Sequence, residues 1–261
     1  MLSVTVCQLH EAAQGLEEDW PSLVRHVGRQ KSDLLVLPEM PFAPWLASDR
    51  EVERERWDAA VAEHDRWLAR LGELGPVAVV GSRPVTIDGV PLNEGFAWDA
   101  EGGYRAVHHK VYLPQEPGFW EAAWYESGPA TFDCATIAGL EVGLLICSEI
   151  WFTEHARDYG RRGAHLVVVP RATPAGTADK WLAGGRVAAV VSGAWCLSSN
   201  RGGVDRGGAV WDGAGWIVEP ESGDVVAVTS ENEPFVTRRI DPQRAVRAKR
   251  TYPRYIENPL G

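Results

Sequence analysis

The chain is short of several things, and each shortage removes a class of function. It has no run of basic residues. Its 26 Lys and Arg stand against 36 Asp and Glu, a formal net charge of −10, so nothing draws it electrostatically to nucleic acid or to an anionic membrane surface. No apolar run approaches the roughly 20 residues of a membrane span. The opening MLSVTVCQLHEAAQ has no basic segment ahead of an apolar one, so no secretory leader is expected. Cysteines number four (Cys7, Cys134, Cys147 and Cys196), without C-x-x-C pairs or histidines at zinc spacing. Reduced thiols in a cytoplasmic protein fit that pattern, and neither a disulfide framework nor a metal site is expected. No G-x-G-x-x-G or G-x-x-x-x-G-K-[ST] opens a helix, so the glycine-rich stretch NRGGVDRGGAVWDGAG (200–215) reads as turns, and no cofactor is expected.

What is present is an alternation of short apolar strands and helices. SVTVCQL (3–9), DLLVLPE (33–39), PVAVVGS (76–82) and AHLVVVP (164–170) read as buried strands, and NEGFAWD (93–99) with GYRAVHH (103–109) as a hairpin or meander. TFDCATIAG and LEVGLLIC make a further pair. Trp57, Val61, His64, Trp67, Leu68 and Leu71 recur at three- and four-residue spacing, which predicts an amphipathic helix over 51–74. Further helices are expected at 153–162 and 177–193. The second carries Gly184 and Gly185, each costing about 1 kcal/mol relative to Ala, which implies close packing there. After residue 194 come only short strands and turns. With no repeat and no linker, one domain over 1–261 is expected: an α/β fold of two mixed sheets face to face with helices outside.

Three polar groups then share one kind of position. Glu39, Lys110 and Cys147 each end an apolar strand where a loop begins, which is where sheet proteins gather reactive groups. The segments LPE (37–39), HHKVYLP (108–114) and GLLICSEIWFTE (143–154) resemble the nitrilase superfamily of carbon–nitrogen hydrolases, and the likeness runs from SVTVCQL to the EPESGDVVA turn. The resemblance implies a four-layer α-β-β-α sandwich and a Glu–Lys–Cys set formed by Glu39, Lys110 and Cys147. It also implies a second glutamate eleven residues beyond the lysine, 110 + 11 = 121, which is Glu121. It implies too a homodimer or higher even assembly through the helices at 153–162 and 177–193.

The chemistry suits the residue types. A thiol is only a few per cent ionised at neutral pH and needs a base or a cation beside it, which Glu39 and Lys110 supply. The Lys110 ammonium and the backbone N–H of Ser148 face the charge that develops on the attacked group, with Glu121 orienting Lys110 or water. Many amidases of the superfamily read C-Y-D-x-R-F-P-E, where this chain reads C-S-E-I-W-F-T-E: Glu149, Phe152 and Glu154 match, while Ser148, Trp151 and Thr153 do not. Nitrile-hydrolysing members usually place Trp after the cysteine, so Ser148 tells against a nitrile. Ile150 and Trp151 stand where carbamoyl amino acid hydrolases carry arginines, which tells against a carboxylate there. Trp45, Trp120, Trp124 and Trp151 suggest an aromatic-walled pocket, and Arg171, at another strand end, a grip on a polar substrate end. His108 and His109 are expected to be structural. The partner expected is a small amide. A nitrile hydrolase, an acyltransferase and a non-catalytic binding protein on the same fold are the alternatives.

Overall fold

The computed structural model describes residues 1–10, 13–204 and 208–256, so Gly207 and its two predecessors in the glycine-rich stretch lie outside the described residues. The elements run β1 (Leu2–His10), α1 (Ala13–Gln30), β2 (Leu34–Val36), α2 (Arg54–Leu68), β3 (Ala78–Ile87), β4 (Val90–Asp99), β5 (Gly103–His109), α3 (Glu121–Trp124), β6 (Ala135–Ile137) and β7 (Leu140–Leu144). They continue with α4 (Thr153–Arg161), β8 (Leu166–Pro170), α5 (Ala178–Ser192), β9 (Trp195–Val204), β10 (Val210–Asp212), β11 (Trp216–Val218), β12 (Val225–Val228), β13 (Phe235–Ile240) and α6 (Pro242–Ala248).

The strands form an α/β fold around a large mixed sheet. The hydrogen-bonded path runs β5-β4-β3-β2-β1-β9-β8-β7-β6. The two wings of that path face each other across a shared core, with helices on their outer faces. The join lies in β1, which pairs with β13 from Leu2 to Cys7 and then with β9 from Gln8 to His10. Alternation along each strand explains the packing. Leu34 and Val36 share a core with Val142, Leu144 and Val168 of the opposite wing. Their neighbours Leu35 and Leu37 turn outward against Trp20 and Leu23 of α1 and Trp67 of α2. Val167 and Val169 likewise turn outward onto Tyr159 of α4 and Ala188 and Ala189 of α5. Strands apolar on both faces read as continuous hydrophobic runs, and these do.

Helix placement follows from local chemistry. Leu16, Trp20, Leu23 and Val27 recur along one stripe of α1 and are all buried. The helix predicted over 51–74 is shorter: α2 covers only Arg54–Leu68, and a separate 3₁₀ turn covers Leu71–Leu74. The terminal α6 opens with Asp241, whose Oδ1 accepts from the Gln243 N–H at 3.0 Å, and Pro242 stands in its first turn. Gly95 of β4 lets the wings meet, because a Cβ there would lie 2.2 Å from Leu144 Cδ2.

Candidate active site

Three strand ends and one short helix deliver the site. Past β2 the chain runs on to Glu39, whose N–H donates to the Arg171 carbonyl at 3.1 Å. The next residue, Met40, has φ 43°, and the buried Arg201 guanidinium donates to the carbonyls of Glu39 (3.2 Å), Met40 and Ala43 (2.7 Å). Lys110 follows β5 directly, its N–H donating to the Asn93 carbonyl at 2.9 Å. Cys147 opens a 3₁₀ turn (Cys147–Trp151) after β7, with φ 48°. A non-glycine residue held in the left-handed region is costly, and such strain gathers where a side chain must be aimed. Glu121 begins α3.

All four side chains are buried. Lys110 Nζ sits 2.8 Å from Glu39 Oε1 and 2.5 Å from Glu121 Oε2, so one ammonium bridges two carboxylates. Asn93 Nδ2 donates to the same Glu39 Oε1 at 2.8 Å, and the Tyr125 hydroxyl donates to Glu121 Oε2. The second oxygen of Glu39, Oε2, is buried and has no hydrogen-bond partner. Cys147 Sγ lies 3.8 Å from the Ala172 carbonyl.

Electrostatics follow from two acids sharing one cation out of water. Burial raises the Glu121 carboxyl to about 7, with the Lys110 charge opposing and the Glu39 charge adding to the rise. Burial, then the Glu39 charge, lifts the Cys147 thiol well above its ordinary value, while Lys110 pulls it down. Burial works against the Lys110 charge, but Glu121 and Glu39 outweigh it and raise the ammonium's pKa. The resting site therefore holds a neutral thiol beside a permanent cation.

A second carboxylate network holds the two loops together. Glu149, fully buried, accepts from the backbone N–H of Val111 (2.8 Å) and of Ile146 (2.7 Å), and His108 Nε2 lies 3.0 and 2.8 Å from its two oxygens. The residue after Lys110 and the residue before Cys147 are thus fixed on one side chain. His109 pairs instead with Glu94 at 3.1 Å on the other face of β5.

A cavity of about 290 Å³ opens onto Cys147, Ser148 and Glu121, walled by Phe119, Trp151 and Trp181. Of the tryptophans expected around it, Trp151 is in the wall and three are not. Trp45 is buried between Phe119 and Trp211, its Nε1 donating to the Gly118 carbonyl at 3.0 Å. Trp124 is buried, donates to the Asp49 carbonyl at 2.8 Å and carries the Arg56 guanidinium over its ring. Trp120 lies under Arg50. Arg171 also lies outside the cavity wall. It is fully buried, it donates to Ser198 Oγ, Thr173 Oγ1 and the Ala214 carbonyl, and its guanidinium lies 3.9 Å from the Trp216 ring centre. Burial in a satisfied network, not substrate, accounts for that arginine. Residues the sequence reading missed are Asn93 and Tyr125 on the two carboxylates, and Phe119 and Trp181 in the wall.

The wider likeness of the chain is consistent throughout. It is 30% identical over 147 residues to the glutamine-dependent NAD(+) synthetase of Xanthomonas campestris, a match covering 55% of this chain and 26% of that protein. The aligned stretch thus spans about a quarter of that relative's length. Its fold matches a carbon-nitrogen hydrolase from Helicobacter pylori with a TM-score of 0.88 at 20% identity, over 99% of this chain and 96% of the other. It matches the NitN amidase from Nesterenkonia sp. AN1 with a TM-score of 0.78 at 22% identity, over 95% and 96%. The carbon-nitrogen hydrolase family profile matches residues 3–250, and with that span the chain belongs to the carbon-nitrogen hydrolase family, the nitrilase superfamily of hydrolases.

Proposed function

We propose that this hydrolase cleaves the C–N bond of small amides through a thioester on Cys147. The observation that carries the reading is the split role of the Glu39 carboxylate: one oxygen is held by Lys110 and Asn93, and the other, buried and unpartnered, is left to take a proton. Glu39 removes the thiol proton, and sulfur bonds to the amide carbon. Negative charge then develops on oxygen, faced by the Lys110 ammonium and the Ser148 N–H, one such donor being worth about 3–4 kcal/mol. Collapse breaks the C–N bond, and the nitrogen leaves with the proton that Glu39 holds. Water next gives a proton to Glu39 and attacks the thioester carbon. The C–S bond breaks and the sulfur takes that proton back. The sum is amide plus water to carboxylic acid plus amine. Glu121 holds Lys110 from its far side throughout.

An amide fits better than a nitrile. The amide needs room for its NH₂ group beside the nucleophile, and Ser148 is small where nitrile-hydrolysing members carry Trp. One relative is named as glutamine-dependent and one structural neighbour as an amidase, both of which point to amide nitrogen. The test compares kcat/KM for matched pairs such as an aryl-acetamide and the corresponding aryl-acetonitrile, with intact-protein mass spectrometry for the acyl adduct on Cys147. The amide should win, releasing ammonia. Faster turnover of the nitrile with the amide left nearly untouched would overturn the assignment.

A further inference from the structure

We propose, on the amide-hydrolase reading, that Tyr125 is a positioning residue for this reaction: its hydroxyl pins Glu121 so that the Lys110 ammonium keeps two protons on carboxylates and turns the third toward the substrate. Tyr125 stands outside the set of Glu39, Lys110, Cys147 and Glu121, one residue past the end of α3.

Donors and lone pairs can be counted around the ammonium. A lysine head group carries three protons and accepts nothing. Two of those on Lys110 go to Glu39 Oε1 at 2.8 Å and Glu121 Oε2 at 2.5 Å, and the third makes no hydrogen bond among the described residues. Each of these carboxylate oxygens is also held by a neutral donor, Glu39 Oε1 by Asn93 Nδ2 and Glu121 Oε2 by the Tyr125 hydroxyl. Among the described residues no further hydrogen bond reaches the Glu121 side chain. Without Tyr125, Glu121 would be held only by the ammonium it orients. Tyr125 has its own anchorage. Its N–H donates to the Glu121 carbonyl at 3.0 Å, and its ring lies 5.9 Å from that of Trp57 in α2. The helix α3 is tied in turn by the Ala122 N–H to the Pro114 carbonyl at 3.2 Å and by Trp124 Nε1 to the Asp49 carbonyl at 2.8 Å.

A buried phenol needs an acceptor, but not this one. Tyr159, also buried, donates to the Leu144 carbonyl at 2.8 Å and touches no reactive group. Tyr125 spends its proton on the carboxylate that steadies Lys110. Burial, then the charges of Glu121 and Glu39, lift its hydroxyl well above the ordinary value, so it remains a donor. The charged and titratable groups facing Glu121 are Lys110, Glu39, Cys147 and Tyr125. Burial raises its carboxyl to about 7, while the Lys110 charge and the hydrogen bonds from Lys110 and Tyr125 pull the other way. A hydrogen bond to the charged form favours that form, so taking the hydroxyl away should move the titration of Glu121 further up.

Tyr125→Phe keeps the ring against Trp57 and removes only the hydroxyl, so the fold should be retained. Ammonia release from acetamide, butyramide and phenylacetamide is measured across the neutral pH range for the native protein, Tyr125→Phe, Glu121→Gln and the double variant. In Tyr125→Phe kcat should fall roughly ten- to a hundredfold while KM changes by less than about twofold, because the loss is one of aim at the developing charge. The midpoint that Glu121 contributes to the pH profile should move up by roughly one pH unit. In Glu121→Gln that midpoint should vanish, and removing the hydroxyl as well should cost much less than it does in the native protein. A tyrosine that only fills space would lower the melting temperature and leave the midpoint where it was. Near-native kcat in Tyr125→Phe, an unmoved midpoint, or the same loss of kcat in both backgrounds overturns the inference while leaving an amide hydrolase in place. Ammonia from none of the three amides with the native protein, and no acyl adduct on Cys147, overturns the hydrolase reading and the inference with it.

Discussion

Glu39 and Glu121 are the same residue type, 2.8 and 2.5 Å from one ammonium, yet their surroundings differ. Each has one oxygen held twice, Glu39 Oε1 by Lys110 and Asn93 and Glu121 Oε2 by Lys110 and Tyr125, but the other oxygen of Glu39 is buried whereas Glu121 lines the cavity. Glu39→Gln keeps the size and the contact to Lys110 but cannot accept the thiol proton. It should lower kcat by at least about a hundredfold with the fold retained, and near-normal turnover would remove Glu39 from the proposed mechanism. Glu121 makes a separate prediction about stability. Its carboxyl titrates at about 7 in the folded protein against an ordinary value of 4.5, so the folded state binds the proton more tightly than the unfolded chain. The stability this confers is full below the lower value and is lost as pH rises through the upper one. Glu121→Gln has no proton to lose there, so its Tm relative to the native protein should rise between about pH 5 and pH 8. A difference in Tm that is flat across that range would contradict the raised value. The strand-end positions of Glu39, Lys110 and Cys147 could be read from sequence because apolar runs stop at them. Asn93 could not. A regular β4–β5 hairpin counted from Asp99↔Gly103 sets Asn93 opposite His109, but a bulge between Gly95 and Phe96 shifts the register, pairs Glu94 with His109 and brings Asn93 to Lys110.

At the scale of elements, hydrophobic periodicity located nearly every strand and the helices α2, α4 and α5, because each buries a face against the sheet. It missed α6, whose signal is the Asp-Pro cap and not a stripe. The glycine pair of α5 was also legible as a packing feature. A Cβ on Gly185 would lie 2.6 Å from Trp216 Nε1, and one on Gly184 3.2 Å from the Trp151 ring. These glycines let α5 press onto β11 and onto the turn that begins at Cys147. Gly185→Ala gains helix propensity worth about 1 kcal/mol but drives a methyl into a buried indole, and overpacking of that kind costs about 1–3 kcal/mol. The collision should win. We expect a lower Tm for Gly185→Ala, with a milder effect for Gly184→Ala, whose neighbour Trp151 is half exposed and free to move. A Tm raised in Gly185→Ala would mean that α5 stands off the sheet. The Glu149 clamp was only half legible. Its place two residues after Cys147 marked it, but nothing local shows that its carboxylate reaches across to the Val111 N–H.

At the scale of the whole molecule, no helix among the described residues is long and apolar enough to cross a membrane, and contiguous exposed apolar surface marks a contact face. Part of the exposed apolar surface lies on the α4–α5 side. Val187 of α5 is 44% exposed and Trp151, just ahead of α4, 40% exposed, and Trp181, Leu182 and Val191 are only partly covered by the core beneath. A lone surface helix needs one apolar stripe for its own sheet. The α5 helix buries Ala188 and Ala189 inward and still presents Val187 outward. We propose that two copies pair through α4 and α5, which would place the turn carrying Cys147 close behind the interface and couple its stability to assembly. Light scattering should then give at least twice the 28.6 kDa of one chain, and Val187→Glu, which sets a charge in the middle of the apolar face, should shift it toward the single-chain mass. The dissociated variant should also unfold at a lower temperature, and the native protein's Tm should rise with concentration, because a dimer is stabilised by mass action. A native protein that scatters only as a 28.6 kDa species, with a Tm indifferent to concentration, would show that this face is simply exposed.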